Sequence, residues 1–186
     1  DGVDPTKITQ AIVGSVVPGK NFDLAKLCDK YFGCKARFIG EPNLVLGSEA
    51  KVDNPREVGA DRIVNAVAAH AAYKGSVLII DFGTATTFDV IDAAGDYRGG
   101  CIAPGINLSM EALHMATALL PRLQVSNPGQ APVIGTTTVA QMHAGVFWGY
   151  IGLIEGLVTR IRAERGEPLK VIATGGLASL FAEATP

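Results

Sequence analysis

The alternation of apolar and polar positions changes period several times along the chain, and each change predicts an element. Ala11-Ile12-Val13-Gly14-Ser15-Val16-Val17 is a short apolar run stopped by Pro18-Gly19, the pattern of a buried strand. Asn21 or Asp23 then caps a predicted helix reaching about Phe32, and residues 35–39 form a short strand. A loop with Pro42, Gly47 and Ser48 follows. Asn54-Pro55 opens the next helix, with Asn54 as N-cap, Pro55 at the first helical position and Glu57 three residues after the cap. Its apolar stripe, Ala60, Ile63, Val64, Val67, Ala68 and Ala71, keeps helical spacing.

Three strands come next in quick succession, over 77–82, 86–92 and 97–103, with Ala93-Ala94-Gly95-Asp96 as the second turn of an antiparallel meander. Pro104-Gly105 leads into a helix ending near Leu120-Pro121, and residues 122–135, with Asn127-Pro128-Gly129, read as a surface excursion. A long helix is predicted over 139–164, where Thr138 with Gln141 forms a capping-box signature. Its Gly145, Gly149, Gly152 and Gly156 fall on one face. Each costs up to ~1 kcal/mol of helix propensity relative to Ala, so a packing reason is expected. That reason is close approach of another backbone, either the domain's own sheet or a partner subunit. Residues 170–174 are a strand, Gly175-Gly176 a turn and 177–184 the start of a helix. Meander, helix, helix, strand and helix is the order of an RNase H-like half-domain. The predicted fold is α/β and RNase H-like (actin-like ATPase). Residues 1–52 supply the C-terminal part of a first half and residues 53–186 a second half, complete or nearly so. A ligand cleft is expected between the two lobes.

Composition narrows the class further. With 48% hydrophobic and 18% charged residues the chain has ample core for a soluble globular protein. A formal charge of −2 without a Lys/Arg cluster argues against nucleic acid as a partner. The most apolar run, between His143 and Arg160, contains Glu155 and falls short of the ~20 clean apolar residues of a membrane span. The N-terminus, Asp1-Gly2-Val3-Asp4-Pro5, is acidic and polar, unlike a signal peptide. Cys28, Cys34 and Cys101 form neither a zinc pattern nor a disulfide framework, which fits neutral thiols in a reducing cytoplasm.

Two segments carry candidate chemistry. Val77-Leu78-Ile79-Ile80 delivers Asp81 to a strand end, Gly83 lets a ligand approach the backbone, and Thr84, Thr86 and Thr87 offer hydroxyls and N–H groups. That surface suits phosphate oxygens or a hydrated cation. The plainer alternative is a hairpin corner whose Asp and Thr side chains bond their own backbone. In Asp53-Asn54-Pro55-Arg56-Glu57-Val58-Gly59-Ala60-Asp61-Arg62, small residues at 59 and 60 clear space for a carboxylate beside a guanidinium. Such a pair orients a hydroxyl and neutralises an anion. The plainer alternative is a pair of solvated first-turn residues favoured by the helix dipole.

Taken together, the segment from Asn54 to Asn65 and Asp81-Phe82-Gly83-Thr84-Ala85-Thr86-Thr87 resemble type III pantothenate kinases, members of the sugar kinase/Hsp70/actin superfamily. So do Tyr97-Arg98-Gly99-Gly100-Cys101-Ile102-Ala103-Pro104-Gly105, Ile134-Gly135-Thr136-Thr137-Thr138, Thr174-Gly175-Gly176 and Ser15-Val16-Val17-Pro18. The resemblance implies ATP-dependent phosphorylation of pantothenate to 4'-phosphopantothenate, the first committed step towards coenzyme A. It implies Asp61 as general base, and Gly59, Ala60, Asp61 and Arg62 as the substrate pocket. Thr138 is implied as a further substrate contact across a homodimer interface. Asp81 matches the family's ligand for a monovalent cation, potassium or ammonium, and Thr84 its nucleotide contact, while Gly175 and Gly176 flank the adenosine. Magnesium accompanies ATP.

The family's Asp-x-Gly-Asn-Thr phosphate loop has no counterpart from Asp1 onward and the chain stops at Pro186, so a fragment lacking that loop and its C-terminal end is expected. Val52 stands where many relatives carry Tyr. His70, His114 and His143 read as structural or surface residues, Met110, Met115 and Met142 as helix core, Trp148 as core or interface, and Glu155 as a surface or interface charge. Two other functions compete: a non-catalytic interaction or regulatory module derived from this family, and a superfamily kinase acting on a sugar or carboxylate.

Overall fold

The computed structural model describes residues 4–182 together with 184 and 185. The expectations for the extreme N-terminus (1–3) and for positions 183 and 186 lie outside the described residues. The chain divides into two compact units, one comprising Asp1–Gly75 and Ile91–Gly99, the other Ser76–Val90 and Gly100–Pro186.

In the first unit, β1 (Ala11–Val13) and β2 (Ala36–Phe38) pair in parallel with Ala11 opposite Ala36. Helix α1 (Asn21–Phe32) connects them in sequence. The strand expected over 11–17 stops at Val13. Beyond it the Ser15 hydroxyl and the Val17 backbone bond each other at 3.2 Å, a local turn that competes with the ladder. Ile12 and Val16 are each 60% exposed, so this is not a buried strand. Neither Asn21 nor Asp23 caps α1, which runs on from a 3-10 turn at Pro18–Lys20 with Lys20 at the cap position. Gly33, at φ 64°, closes the helix by donating its N–H to the Asp29 carbonyl.

The capping signature at Asn54 starts a separate 3-10 turn, Pro55–Glu57, in which the Asn54 side-chain amide donates to Glu57 Oε1 at 2.6 Å. Helix α2 (Ala60–Ala72) begins three residues further on, capped by Gly59 in an extended conformation. Its fully buried positions are Ala66 and Ala69, while Val64, Ala68 and Ala71 of the predicted stripe are exposed. The alanine pairs at 68–69 and 71–72 carry too little bulk to mark the inward face, so the buried face is rotated from the predicted stripe.

The second unit holds β3 (Val77–Phe82), β4 (Ala85–Ile91), β5 (Tyr97–Pro104) and β6 (Lys170–Gly175) in the sheet order β5-β4-β3-β6. The ends of β4 and β5 at Ile91 and Tyr97–Gly99 count with the first unit. β3 and β6 run parallel with Asp81 opposite Thr174 and Phe82 opposite Gly175. Every residue of β3 is buried except Asp81, which is half-buried at its end. Helix α3 (Ile106–Ala116) stops short of the expected Leu120, because Thr117 turns extended and its hydroxyl donates to the Leu113 carbonyl at 2.8 Å.

Helix α4 (Thr138–Arg165) packs Phe147, Tyr150, Ile151 and Ile154 into the core with Leu78, Ile80, Phe82 and Phe88. Phe181 of α5 (Ala178–Ala182) stacks on Phe82 at 5.1 Å and on Phe147 at 5.5 Å between ring centroids. Burial of each such side chain contributes about 1.5–3 kcal/mol. Among the described residues, α4 is the one helix with the length and mean hydropathy, 1.2 over its best window, to cross a membrane. Phe147, Tyr150, Ile151 and Ile154 of this helix are buried in the core. Its glycine face is open: nothing lies within 4 Å of a Cβ placed on Gly145, Gly149 or Gly152, and Gly156 meets only Arg160 of the same helix. Packing against the domain's own sheet is thus not the reason for these glycines.

Candidate functional site

At the start of α2, Gly59 has no room for a side chain. A Cβ there would lie 2.5 Å from Asp61 Oδ1 and 3.7 Å from Val16. That absence lets the Asp61 carboxylate fold back over the helix N-terminus, where its Oδ1 accepts from the Arg62 backbone N–H at 2.9 Å. All four predicted pocket residues, Gly59, Ala60, Asp61 and Arg62, lie in this one turn, with Asp61 exposed. The Arg62 guanidinium lies over the Tyr97 ring, 5.1 Å from its centroid. Beside Tyr97, Asp96 forms an ion pair with Lys51 and accepts from the Glu49 N–H at 3.0 Å. The Lys51 side chain, and then the Glu49 amide, hold the Asp96 carboxyl below its ordinary value, and Asp96 in turn raises Lys51.

The second unit carries the other cluster. Asp81 ends β3 against Gly175, whose φ of 91° and missing Cβ leave space for the carboxylate: an added Cβ would lie 2.7 Å from Asp81 Oδ1. The turn at Gly83-Thr84 is abutted by Gly105, the cap of α3, which donates its N–H to the Thr84 carbonyl at 3.1 Å. A side chain at 105 would collide with that same oxygen. Gly83, Thr84 and Gly176 line a cleft of about 660 Å³ with Asn107, Glu111 and Arg122 on its other walls. Arg122 donates to Glu111 at 2.8 Å. Another cleft of about 630 Å³, along α4, β6 and α5, contains none of the sequence-predicted site residues.

Of the three threonines, only Thr84 faces this cleft. Thr86 is fully buried, and its hydroxyl hydrogen-bonds that of Tyr150, which also reaches the Pro104 carbonyl at 3.2 Å. Burial pushes the Tyr150 phenol up from its ordinary 10.0, a shift partly opposed by the Thr86 bond. Thr87 donates to the fully buried Asp89 at 2.7 Å. Both hydroxyls are thus structural, not ligand-facing. Thr138 is not the cap of α4. Thr137 is, its hydroxyl accepting from Ala140 N–H at 3.2 Å, and Thr138 stands exposed in the first turn. Gln141 reaches back to the Gly135 carbonyl at 3.1 Å.

Sequence reasoning missed Tyr97 beneath Arg62, and Asn107, Glu111 and Arg122 around Thr84. Tyr97 opens a motif that was singled out, and its aromatic ring was the available signal. The other three sit in segments whose fold, not whose local pattern, brings them to the cleft.

The fold is similar to that in the crystal structure of a Campylobacter jejuni protein described as a putative Baf family transcriptional activator, with a TM-score of 0.62 over 96% of this chain and 73% of that one. At 21% identity this likeness concerns the fold alone. Sequence carries the assignment further. Residues 2–160 match the profile of the type III pantothenate kinases. The type III pantothenate kinase of Paramagnetospirillum magneticum is 58% identical over 185 residues, covering 100% of this chain and 70% of that protein. That of Phenylobacterium zucineum is 59% identical over 174 residues, covering 94% and 66%. The chain belongs to the type III pantothenate kinase family, whose fold is that of the actin-like ATPases.

Proposed function

We propose that this chain carries out ATP-dependent phosphorylation of pantothenate, giving 4'-phosphopantothenate and ADP in the first step of coenzyme A synthesis. The observation that carries this, beyond family membership, is the Gly59–Arg62 turn. It presents an exposed carboxylate next to a guanidinium that rests on an aromatic ring. The pantothenate hydroxyl oxygen attacks the γ-phosphorus, the bond to the β-phosphate oxygen breaks, and the hydroxyl proton passes to Asp61. Proton acceptance comes late in phosphoryl transfer, so an ordinary carboxylate suffices and positioning does most of the work. Gly59 and Ala60 leave room for the substrate, and Arg62 supplies a charge-assisted contact.

Thr84 contacts the nucleotide, with Gly175 and Gly176 beside the adenosine. Asp81, whose carboxylate the bare Gly175 accommodates, binds a monovalent cation, potassium or ammonium. Among the described residues no three His, Cys, Asp or Glu gather as a metal cluster. A magnesium ion arriving with ATP fits a site made mostly of phosphate oxygens, where it neutralises their charge. The open glycine face of α4 supports a homodimer, with Thr138 contributed to the partner's substrate. We read the fold as two RNase H-like halves, the second complete or nearly so and the first partial. The free thiols suit a cytoplasmic protein.

The test is pantothenate-dependent ADP release by the gene product that carries this sequence, with magnesium and with or without potassium. Asp61→Ala should lower kcat by about 10²–10⁴-fold, the usual contribution of a general base, while the fold stays intact. Substantial residual turnover removes Asp61 from that role. No turnover in the parent, on pantothenate or a panel of sugars and carboxylates, favours the non-catalytic module.

A further inference from the structure

Tyr150 is 5% exposed, and its ring packs against Phe82 and Phe181 at 6.5 and 5.3 Å between centroids. A phenylalanine would make those ring contacts equally well. The phenol hydroxyl needs a separate reason, since a buried hydroxyl is costly unless it is bonded. Its two partners supply one. The hydroxyl meets that of Thr86 on β4 and lies 3.2 Å from the Pro104 carbonyl oxygen at the end of β5. The carbonyl can only accept, whereas the Thr86 hydroxyl can give as well as take, so one phenol satisfies both. The same two segments meet a second time at the Gly83-Thr84 turn. There Gly105 N–H donates to the Thr84 carbonyl at 3.1 Å. The approach is tight: a Cβ on Gly105 would lie 2.3 Å from that oxygen and 2.7 Å from the Gly83 carbonyl oxygen. Gly83 N–H in turn donates to the Ala85 carbonyl at 3.1 Å. Thr84 itself is exposed and lines the cleft of about 660 Å³. Its placement depends on how closely the Pro104-Gly105 corner sits against β4, and the Tyr150 phenol is a side-chain tie across that gap.

We propose that Tyr150 is a positioning residue for the nucleotide: by bridging Thr86 and Pro104 it holds the Gly83-Thr84 turn against the α3 cap, where Thr84 meets ATP. The proposal rests on Thr84 contacting the nucleotide.

Steady-state kinetics and thermal unfolding of the gene product that carries this sequence test it, with Tyr150→Phe, Thr86→Val, Thr84→Ala and the double variant Tyr150→Phe/Thr84→Ala. Tyr150→Phe keeps the ring and removes only the hydroxyl. It should raise KM for ATP about three- to tenfold, the range of one net hydrogen bond, and leave KM for pantothenate as it was. Thr86→Val removes one of the two partners and should raise KM for ATP by less. The double variant should match Thr84→Ala alone, because Tyr150 acts through that residue. If Tyr150→Phe does not fold, Thr86→Val and its combination with Thr84→Ala carry the same comparison. A lowered Tm with KM for ATP unchanged marks a bond that serves the core alone and overturns the positioning role. Additive effects in the double variant overturn it too, while Thr84 keeps its own role. An unchanged KM for ATP in Thr84→Ala removes the nucleotide contact itself, and the proposal with it.

Discussion

Gly175→Ala is the substitution through which the second unit's chemistry can be questioned most directly. The glycine sits at φ 91°, a conformation L side chains rarely adopt, at a cost of about 1–3 kcal/mol. The new Cβ would lie 2.5 Å from the Phe82 carbonyl oxygen and 2.7 Å from the Phe82 nitrogen, well inside contact distance. Relieving that overlap means separating β6 from β3 at the Phe82–Gly175 pair, with loss of about one ladder hydrogen bond worth ~0.5–1.5 kcal/mol. The sum, about 2–4 kcal/mol, corresponds to a fall in Tm of about 4–16 °C for a chain of this length. The same Cβ falls 2.7 Å from Asp81 Oδ1, so the carboxylate must also turn away. Thermal unfolding by circular dichroism reads the first effect. Potassium titration of the kinase rate reads the second, with the half-activating concentration rising severalfold. A Tm within about 2 °C of the parent together with an unaltered potassium curve would refute both the strain and the assignment of Asp81.

The neighbouring threonines at the start of α4 should separate cleanly: Thr137→Ala removes the cap and about 1 kcal/mol of stability, whereas Thr138→Ala should leave unfolding unchanged and raise KM for pantothenate. Equal losses of stability in the two would contradict the cap assignment. The Lys51–Asp96 pair gives a pH signature. Asp96 has a lowered pKa in the folded protein, so its contribution is present above the ordinary 3.8 and is lost as pH falls through the depressed value. Lys51 is raised, so its contribution is present below 10.5 and is lost as pH rises through the elevated value. Asp96→Asn should therefore unfold more easily than the parent near pH 7, and denaturant titrations should show the gap narrowing as pH drops below 3.8. A gap independent of pH would show that the pair does not act through charge.

Much of this architecture was legible because it is local. The run Val77–Phe82 is bounded by a lysine-glycine-serine stretch and by Gly83, and it forms the strand at the predicted limits. In the motifs at 59–62 and 81–84, small residues next to chemistry-bearing ones mark crowding, and neither Gly59 nor Gly105, which abuts Thr84, has room for a side chain. The misreadings share a cause, namely that adjacent residues of similar type compete for one position. Thr137 outcompetes Thr138 for the cap, and Pro18–Lys20 preempts Asn21 as the start of a helix. The buried face of α2 was hidden by its alanines, whose side chains differ too little from one another to show which side meets the core. Thr86 and Thr87 looked like ligand groups because strand alternation alone cannot show that Tyr150 and Asp89 wait beneath them.

Asp81 and Gly175 stand on different strands, brought together across the parallel β3–β6 pairing from opposite ends of the unit's sequence. Local elements form early, while pairing across so long a loop must first overcome the entropy of closing it. A partly folded chain in which the meander and α4 had formed but β6 had not docked would display the Asp81 carboxylate without Gly175 behind it. On the cation role proposed for Asp81, the ion binds only after the last strand is in place, and by mass action it stabilises that state alone. Cation in the refolding buffer would then act as a proofreader of sheet completion, slowing the escape of finished molecules and leaving the speed of early collapse untouched.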